Sequence, residues 1–233
     1  MGQVNKKPYG TVMETPVFAK PGRDERRSAI LAIAHAAFLS DGYAATSMST
    51  IAARVGGSKA TLYNYFSSKE ELFGAVVANK CEQLQMLLYE AQVEGNDFRS
   101  ALQNFGERLL QLLLQEESVA TYRMVVAECG RFPELGHTFY NSGVKQARAK
   151  LGEYFEKAIA DGQLRACDAA TMAHYYFDLC MSRIHLRRIW NVETNPTVEE
   201  IRTNVARAVA IFLAAFGTGE GDREEAARLC STK

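Results

Sequence analysis

Residues 46–73 read TSMSTIAARVGGSKATLYNYFSSKEELF, and this stretch decides how the front of the chain folds. Thr46 and Ser47 are both good N-cap candidates for a short helix over MSTIAARV, because a hydroxyl can accept a hydrogen bond from a free backbone N–H. Gly56 and Gly57 end that helix, and Ser58 can cap a second short helix over KATLYNYF. Two short helices across a tight glycine turn form a helix-turn-helix pattern.

Helical periodicity continues on both sides of this stretch. An apolar stripe predicts a first helix from about residue 23, ended by Asp41 and Gly42, and a longer helix is expected from Lys69 to about residue 92. Further helices are expected from residue 97, over 119–129, 133–159, 168–190 and 196–216. Strand-like alternation of useful length is absent from the sequence. The prediction is an all-α protein of about nine helices.

The composition limits the function classes. The 233 residues are 47% apolar and 23% charged, and the formal net charge is zero. The sequence has no apolar run long enough for a membrane span and no apolar leader, so neither a membrane protein nor a secreted one is expected. Five cysteines without a CxxC pair favour reduced thiols in the cytoplasm. GxSxG, P-loop and HExxH motifs are absent, so no enzyme and no cofactor are predicted.

Side chains near the start of the second short helix are suited to a DNA groove, since this part of a helix-turn-helix enters the major groove. Lys59 can reach guanine or a phosphate, small Ala60 permits close approach to base edges, and Thr61 can meet either kind of group. Tyr63 shares this end of the helix, with packing between helices as the alternative role of its ring. Asn64 suits a phosphate contact or a solvated position equally.

The same stretch closely resembles the DNA-binding signature of TetR-family transcriptional regulators, and residues 30–47 look like that family's first helix and the following loop. Gly57 departs from the pattern, because the family usually has a small apolar residue such as valine there. The resemblance implies a homodimeric DNA-binding protein that responds to a small molecule, usually a repressor.

The resemblance also assigns roles to individual residues. Bases or nearby backbone would be contacted by Ser49, Lys59, Ala60, Thr61 and Tyr63. Phosphates would be held by Thr46, Ser47, Ser58, Tyr65 and Lys69. The domains expected are a flexible arm (1–22), a DNA-binding domain (23–75), an effector-binding and dimerisation domain (76–217) and a charged tail (218–233).

The second half of the chain offers candidates for an effector site. Residues 122–143 look like the C-terminal domain of AefR-like and AcrR-like members, which suggests regulation of efflux or stress genes. Large apolar side chains and buried polar tips are the groups that line ligand cavities. The predicted effector residues are Phe105, Tyr122, His137, Phe139, His174, Tyr175, Asp178 and Met181.

On the predicted helix over 168–190, His174, Asp178, Met181 and His185 fall on one face and include potential metal ligands. His174 and Asp178 could chelate one ion, form a hydrogen bond with each other, or have unrelated roles. One helix rarely supplies a whole site, so no metal is predicted.

The resemblance implies dimerisation through the last two helices. The run ARAVAIFLAAF over 206–216 is apolar on nearly all sides, so a helix there should be covered on two faces, which a dimer seam provides. Trp190 could anchor the rim of that seam. A two-fold dimer predicts a near-palindromic operator in double-stranded DNA. The alternative is an architectural or nucleoid-associated DNA-binding protein of the same fold, whose second domain recruits a protein; packed side chains in place of a cavity would favour it.

Overall fold

The computed structural model describes residues 22–94, 97–192 and 195–219, and between residues 80 and 94 it describes the side chains of Glu82 and Met86 alone. The predicted arm and charged tail therefore lie outside the described residues, apart from Gly22, Thr218 and Gly219. The described part is all helical and contains no strand, which confirms the predicted fold class.

The helices in chain order are α1 (Arg23–Asp41), α2 (Met48–Val55), α3 (Lys59–Tyr63), α4 (Lys69–Glu94), α5 (Phe98–Leu113), α6 (Glu116–Glu128), α7 (Pro133–Phe139), a π-helical turn (Tyr140–Val144), α8 (Lys145–Ala160), α9 (Ala169–Met181), α10 (Ile184–Ile189) and α11 (Val198–Phe216). None of them is long and apolar enough to cross a bilayer.

Local side-chain chemistry starts several of these helices. Asp97 caps α5 by accepting a hydrogen bond from the Ser100 N–H at 2.8 Å. Thr197 and Glu200 form a capping box at the start of α11. Pro133 occupies the first turn of α7, where a missing N–H costs nothing.

Two predicted helices are each divided in the structure, which is why eleven α-helical segments replace the expected nine in the described residues. The predicted helix over 168–190 is wrong in one respect: it breaks between α9 and α10 at Ser182 and Arg183. The backbone of Arg183 has φ of +69°, which an α-helix does not allow. The Ser182 hydroxyl donates to the Leu179 carbonyl at 2.6 Å and closes the end of α9.

The second divided helix runs from Pro133 to Ala160 and contains the π turn between α7 and α8. The turn packs closely on α4, because a Cβ at Gly143 would lie 2.8 Å from Cγ1 of Val77. Such π turns inside helices are frequent at functional sites.

The N-terminal core joins α1 to α4 and also takes residues from α6 and α7. Phe38, Tyr43 and Phe73 are fully buried at its centre and form a cluster of ring contacts. Val125 of α6 and Leu135 of α7 are buried in the same cluster. The helices that hold α2 and α3 in place are thus packed against the second half of the chain.

The C-terminal core joins α5, α8, α9 and α11. Tyr176 is fully buried there, and its hydroxyl donates to the Leu102 carbonyl at 2.6 Å. Gly106 lets α5 approach its neighbours, since a Cβ there would lie 2.6 Å from Cγ1 of Val205. The buried Asn204 amide donates to the Cys180 carbonyl at 2.8 Å and joins α11 to α9.

Candidate functional site

The turn between α2 and α3 is fixed by two serine caps and one left-handed glycine. The Ser47 Oγ accepts from the Thr50 N–H at 3.1 Å, and the Ser58 Oγ accepts from the Thr61 N–H at 3.0 Å. Gly56 has φ of +71°, a left-handed conformation that glycine adopts without strain.

Helix α3 buries one face and exposes the other. Leu62 is fully buried in the N-terminal core, whereas Lys59 and Ala60 are exposed and Tyr63 keeps 43% of its surface accessible. The Lys59 ammonium lies 5.8 Å from the centre of the Tyr63 ring, so a cation and an aromatic face stand side by side. The described helix ends at Tyr63 and is shorter than the predicted KATLYNYF segment.

Most of the predicted DNA-contact residues lie on the accessible surface around α2 and α3. The exposed members are Ser47, Ser49, Ser58, Lys59, Ala60, Tyr63 and Asn64, and the half-buried ones are Thr61, Tyr65 and Lys69. These side chains form the helix-turn-helix surface.

Thr46 is a correction to the predicted set. Its side chain is buried, and its hydroxyl donates to the Gly42 carbonyl at 2.7 Å. The hydroxyl is therefore occupied inside the protein, where it fixes the loop before α2, and it does not face solvent.

Lys69 also has an internal contact. Its ammonium lies 4.1 Å above the Tyr43 ring and donates to the Tyr43 carbonyl at 2.9 Å. Burial raises the pKa of Tyr43 well above its usual value, with the carboxylate of Glu70 acting in the same direction. Lys69 thus stabilises the loop before α2 as well as standing near the helix-turn-helix surface.

The same loop is held from the second half of the chain by Glu128, at the end of α6. One carboxylate oxygen accepts from the Tyr43 N–H at 2.8 Å, and the other accepts from the Ala44 N–H at 2.9 Å. Charge-assisted bonds of this kind are among the stronger hydrogen bonds in proteins. We call this contact the Glu128 clamp.

A cavity of about 470 Å³ lies between the helices of the two cores. Its wall includes residues of α1, α4, α5, α6, α7, the π turn, α8, α9 and α10. The volume is within the range of small-molecule sites. Four of the predicted effector residues line it, namely Tyr122, Phe139, Asp178 and Met181.

The other four predicted effector residues lie away from this cavity. Phe105 is buried in the C-terminal core and stacks on the Tyr176 ring, with centroids 6.2 Å apart. His137 and His174 are exposed. Tyr175 is 53% exposed and stacks on Phe216 of α11. None of the four is part of the cavity wall.

Sequence reasoning missed several polar residues of the cavity wall. Thr121 donates its hydroxyl to the Glu117 carbonyl at 2.7 Å, so its oxygen accepts from Nε2 of His35 at 2.8 Å. Arg148 forms an ion pair with Asp178 at 2.8 Å. The available signal was a polar residue beside an apolar stripe: His35 follows Ala34 in α1, and Arg148 follows Ala147 in α8.

The structure gives His174 and Asp178 different partners. Nδ1 of His174 bonds the Ala170 carbonyl at 2.8 Å, while Asp178 pairs with Arg148. His185, predicted on the same face, belongs to α10 beyond the helix break. Within the described ranges, no group of three or more His, Cys, Asp or Glu residues is placed to hold a metal ion.

His185 closes one side of the cavity. Its ring stands edge-to-face against Tyr122, with centroids 5.4 Å apart. Burial lowers the pKa of His185, so the ring is neutral near pH 7.

Comparison with known families matches most of the chain. Residues 30–76 match the family described as bacterial regulatory proteins, tetR family. Residues 100–218 match the family described as AefR-like transcriptional repressor, C-terminal domain.

Individual relatives are similar over different lengths. The HTH-type transcriptional activator FasR of Mycolicibacterium smegmatis is 36% identical over 103 residues, which span 44% of this chain and 46% of that protein. The match thus covers less than half of that relative.

Two solved structures match nearly their whole length. A protein of Mesorhizobium loti, described as a TetR-family transcriptional regulator, superposes with a TM-score of 0.72 and 28% identity over 85% of this chain and 100% of that one. The flavonoid-responsive regulator FrrA superposes with a TM-score of 0.68 and 30% identity over 84% of this chain and 98% of that one.

Proposed function

Because this chain belongs to the TetR family of transcriptional regulators, we propose that it is a homodimeric repressor released from its operator by a small hydrophobic or amphipathic molecule. The operator is a near-palindrome in double-stranded DNA, and the helix-turn-helix surface contacts it in the bacterial cytoplasm. Efflux or stress genes are the proposed targets, because the C-terminal family match is to AefR-like repressors.

One observation supports ligand response above all: the cavity wall is shared between the two halves of the chain. His35 belongs to α1, which packs against α2, and Val76 and Val77 belong to α4, which packs against α1. A molecule that fills the cavity therefore touches the helices that orient the recognition helix. A shift of α4 or α6 would change the spacing of two recognition helices, which must meet major grooves about 34 Å apart.

Relatives agree with this proposal in part. FrrA is named as flavonoid-responsive, which supports control by a small molecule. FasR, in contrast, is named as an activator. We propose repression for this chain, and the operator experiment below tests whether the protein represses or activates. The open cavity favours a ligand sensor. The architectural alternative predicts packed side chains in place of this cavity.

The test is selection of fragments of the source genome by the purified protein at about 150 mM salt, because phosphate contacts make DNA affinity steeply dependent on salt. We expect one or a few near-palindromic sites. Placed upstream of a reporter gene, such a site should lower expression when the protein is present.

Two variants sharpen this test. A double substitution, Lys59→Ala with Tyr63→Ala, should weaken binding to the selected site by about tenfold or more, since both side chains are exposed on α3. Lys150→Ala is the matched control, because Lys150 is an exposed lysine of α8 paired with Glu153. Enrichment of many dispersed sites would support the architectural alternative, and no enrichment would contradict DNA recognition by this chain.

A further inference from the structure

The cavity is lined mainly by apolar side chains, and its polar groups differ in how fully they are hydrogen-bonded. Thr121 and His35 bond each other, and Ser182 donates to the Leu179 carbonyl. His185 is neutral near pH 7 because burial lowers its pKa.

Arg148 is the only lysine or arginine among the described residues of the wall. Its side chain is 17% exposed, and one guanidinium nitrogen pairs with Asp178 at 2.8 Å. The Nε atom of Arg148 is buried and has no hydrogen-bond partner in the part of the chain that the structure describes. A buried donor without an acceptor is costly, more so when it belongs to a charged group.

The counter-charge does not cancel this cation within the cavity. Asp178 has a side chain that is 61% exposed, so water solvates much of its negative charge. The Arg148 guanidinium therefore leaves a positive field at one side of an otherwise apolar space.

We propose that the effector is an amphipathic monoanion, whose acid group pairs with the guanidinium of Arg148 while its apolar body fills the cavity. This inference rests on the proposed function, since it names the class of molecule that the cavity senses. The apolar body contacts Leu112, Phe139, Phe177 and Met181. At about 30 Å³ per water-sized group, 470 Å³ holds roughly 16 non-hydrogen atoms.

The test compares headgroups on one apolar chain by isothermal titration calorimetry. Decanoate, 1-decanol and decylammonium have the same ten-carbon body and differ in charge. A second arm compares biphenyl-4-carboxylate with biphenyl-4-methanol, which distinguishes an aromatic body from an aliphatic one. We expect the acid to bind about tenfold or more tightly than its alcohol in at least one arm, since a charge-assisted hydrogen bond is lost in the alcohol.

Two variants tie this preference to one residue. Arg148→Met removes the cation and keeps a side chain of comparable length, so it should abolish the preference for the acid. Arg202→Met is the matched control, because Arg202 is exposed on α11 and pairs with Glu199 outside the cavity. Arg148→Lys keeps the charge but loses the planar guanidinium, and it should retain part of the preference.

Three outcomes would overturn the proposal. The first is equal affinity for acids and alcohols, and the second is a preference for decylammonium, which would assign recognition to Asp178. The third is binding of no acid in either arm. Because the wild-type protein is also tested on its selected operator without ligand, retained DNA binding would show that the effector class failed while the regulator assignment stood.

Discussion

At the scale of single residues, the two glycines of the turn have different roles. Gly56 needs its left-handed backbone, whereas Gly57 has no positive φ, and a Cβ there would meet Nη2 of Arg26 at an ordinary 3.7 Å. We expect Gly56→Ala to lower the free energy of unfolding by about 1 kcal/mol. Gly57→Ala, the matched control, should change it by less than about 0.5 kcal/mol. Urea denaturation followed by circular dichroism measures both, and equal effects would contradict this assignment.

This difference explains the departure of Gly57 from the family pattern. The family usually has a small apolar residue at that position, and the structure has room for a Cβ there. The turn is therefore fixed by Gly56 and the serine caps, and glycine at position 57 is not required by the backbone.

The second prediction at this scale concerns His185 and the pH dependence of the free energy of unfolding. Burial lowers the pKa of His185 from its usual 6.5, so the folded state holds that proton less readily than the unfolded chain. The stabilisation from a neutral His185 is complete above pH 6.5 and is lost progressively as the pH falls below it. His185→Phe keeps a ring against Tyr122 and cannot titrate. Denaturation between pH 7.5 and pH 5, in the range where histidine titrates, should show wild type losing stability relative to this variant; parallel curves would contradict the prediction.

At the scale of elements, α6 connects the cavity with the DNA-binding part. Thr121 and Tyr122 of α6 line the cavity, and Glu128 at its end holds the loop before α2 through the Glu128 clamp. Val125, between them, is buried in the N-terminal core. A displacement of α6 by a ligand therefore acts on that loop directly.

Glu128→Gln should reduce this coupling. One carboxylate oxygen becomes an NH2 group, which cannot accept the Ala44 or Tyr43 N–H, so one clamp bond is lost. Ligand affinity measured without DNA should stay within about twofold, while the ligand-induced change in operator affinity falls by about tenfold, a typical allosteric coupling. Fluorescence anisotropy of labelled operator, with and without ligand, measures this change. Glu153→Gln is the charge-matched control, because Glu153 is exposed on α8, and an equal effect of both variants would exclude a specific role of the clamp.

At the scale of the whole molecule, exposed apolar side chains on α9 and α11 support the proposed dimer. Tyr175 is 53% and Ile211 is 39% exposed, on two helices that pack against each other in the C-terminal core. Trp190, directly after α10, and Val198, the first residue of α11, are also exposed. Large apolar groups left accessible on neighbouring helices are typical of a protein interface.

Ile211→Glu should convert the dimer to a monomer, because it places a charge in the proposed seam. Operator affinity should then fall by about 100-fold or more, since two linked half-site contacts become independent. Light scattering after size-exclusion chromatography measures the mass, and anisotropy measures the affinity. Val126→Glu is the control, because Val126 is an exposed valine of α6; a dimeric Ile211→Glu protein would contradict the proposed seam.

The sequence by itself determined the local structure, because caps and turns act between neighbouring residues. Ser47, Ser58 and Pro133 start their helices as predicted, and Gly56 ends α2. The order of helices and the exposed face of α3 follow from the same short-range rules, together with the 3.6-residue period. A resemblance over some fifty residues then sufficed to identify the family.

Only the tertiary structure decided which polar groups meet in the cavity. Periodicity places His174 and Tyr175 on a helix face, but it does not say which neighbour covers that face, and both lie away from the cavity. His35 and Arg148 are far apart in sequence, and they line one cavity because helices from both halves pack around it. The break at Arg183 was also invisible locally, since an arginine normally favours a helix, whereas this one has a φ of +69° between α9 and α10.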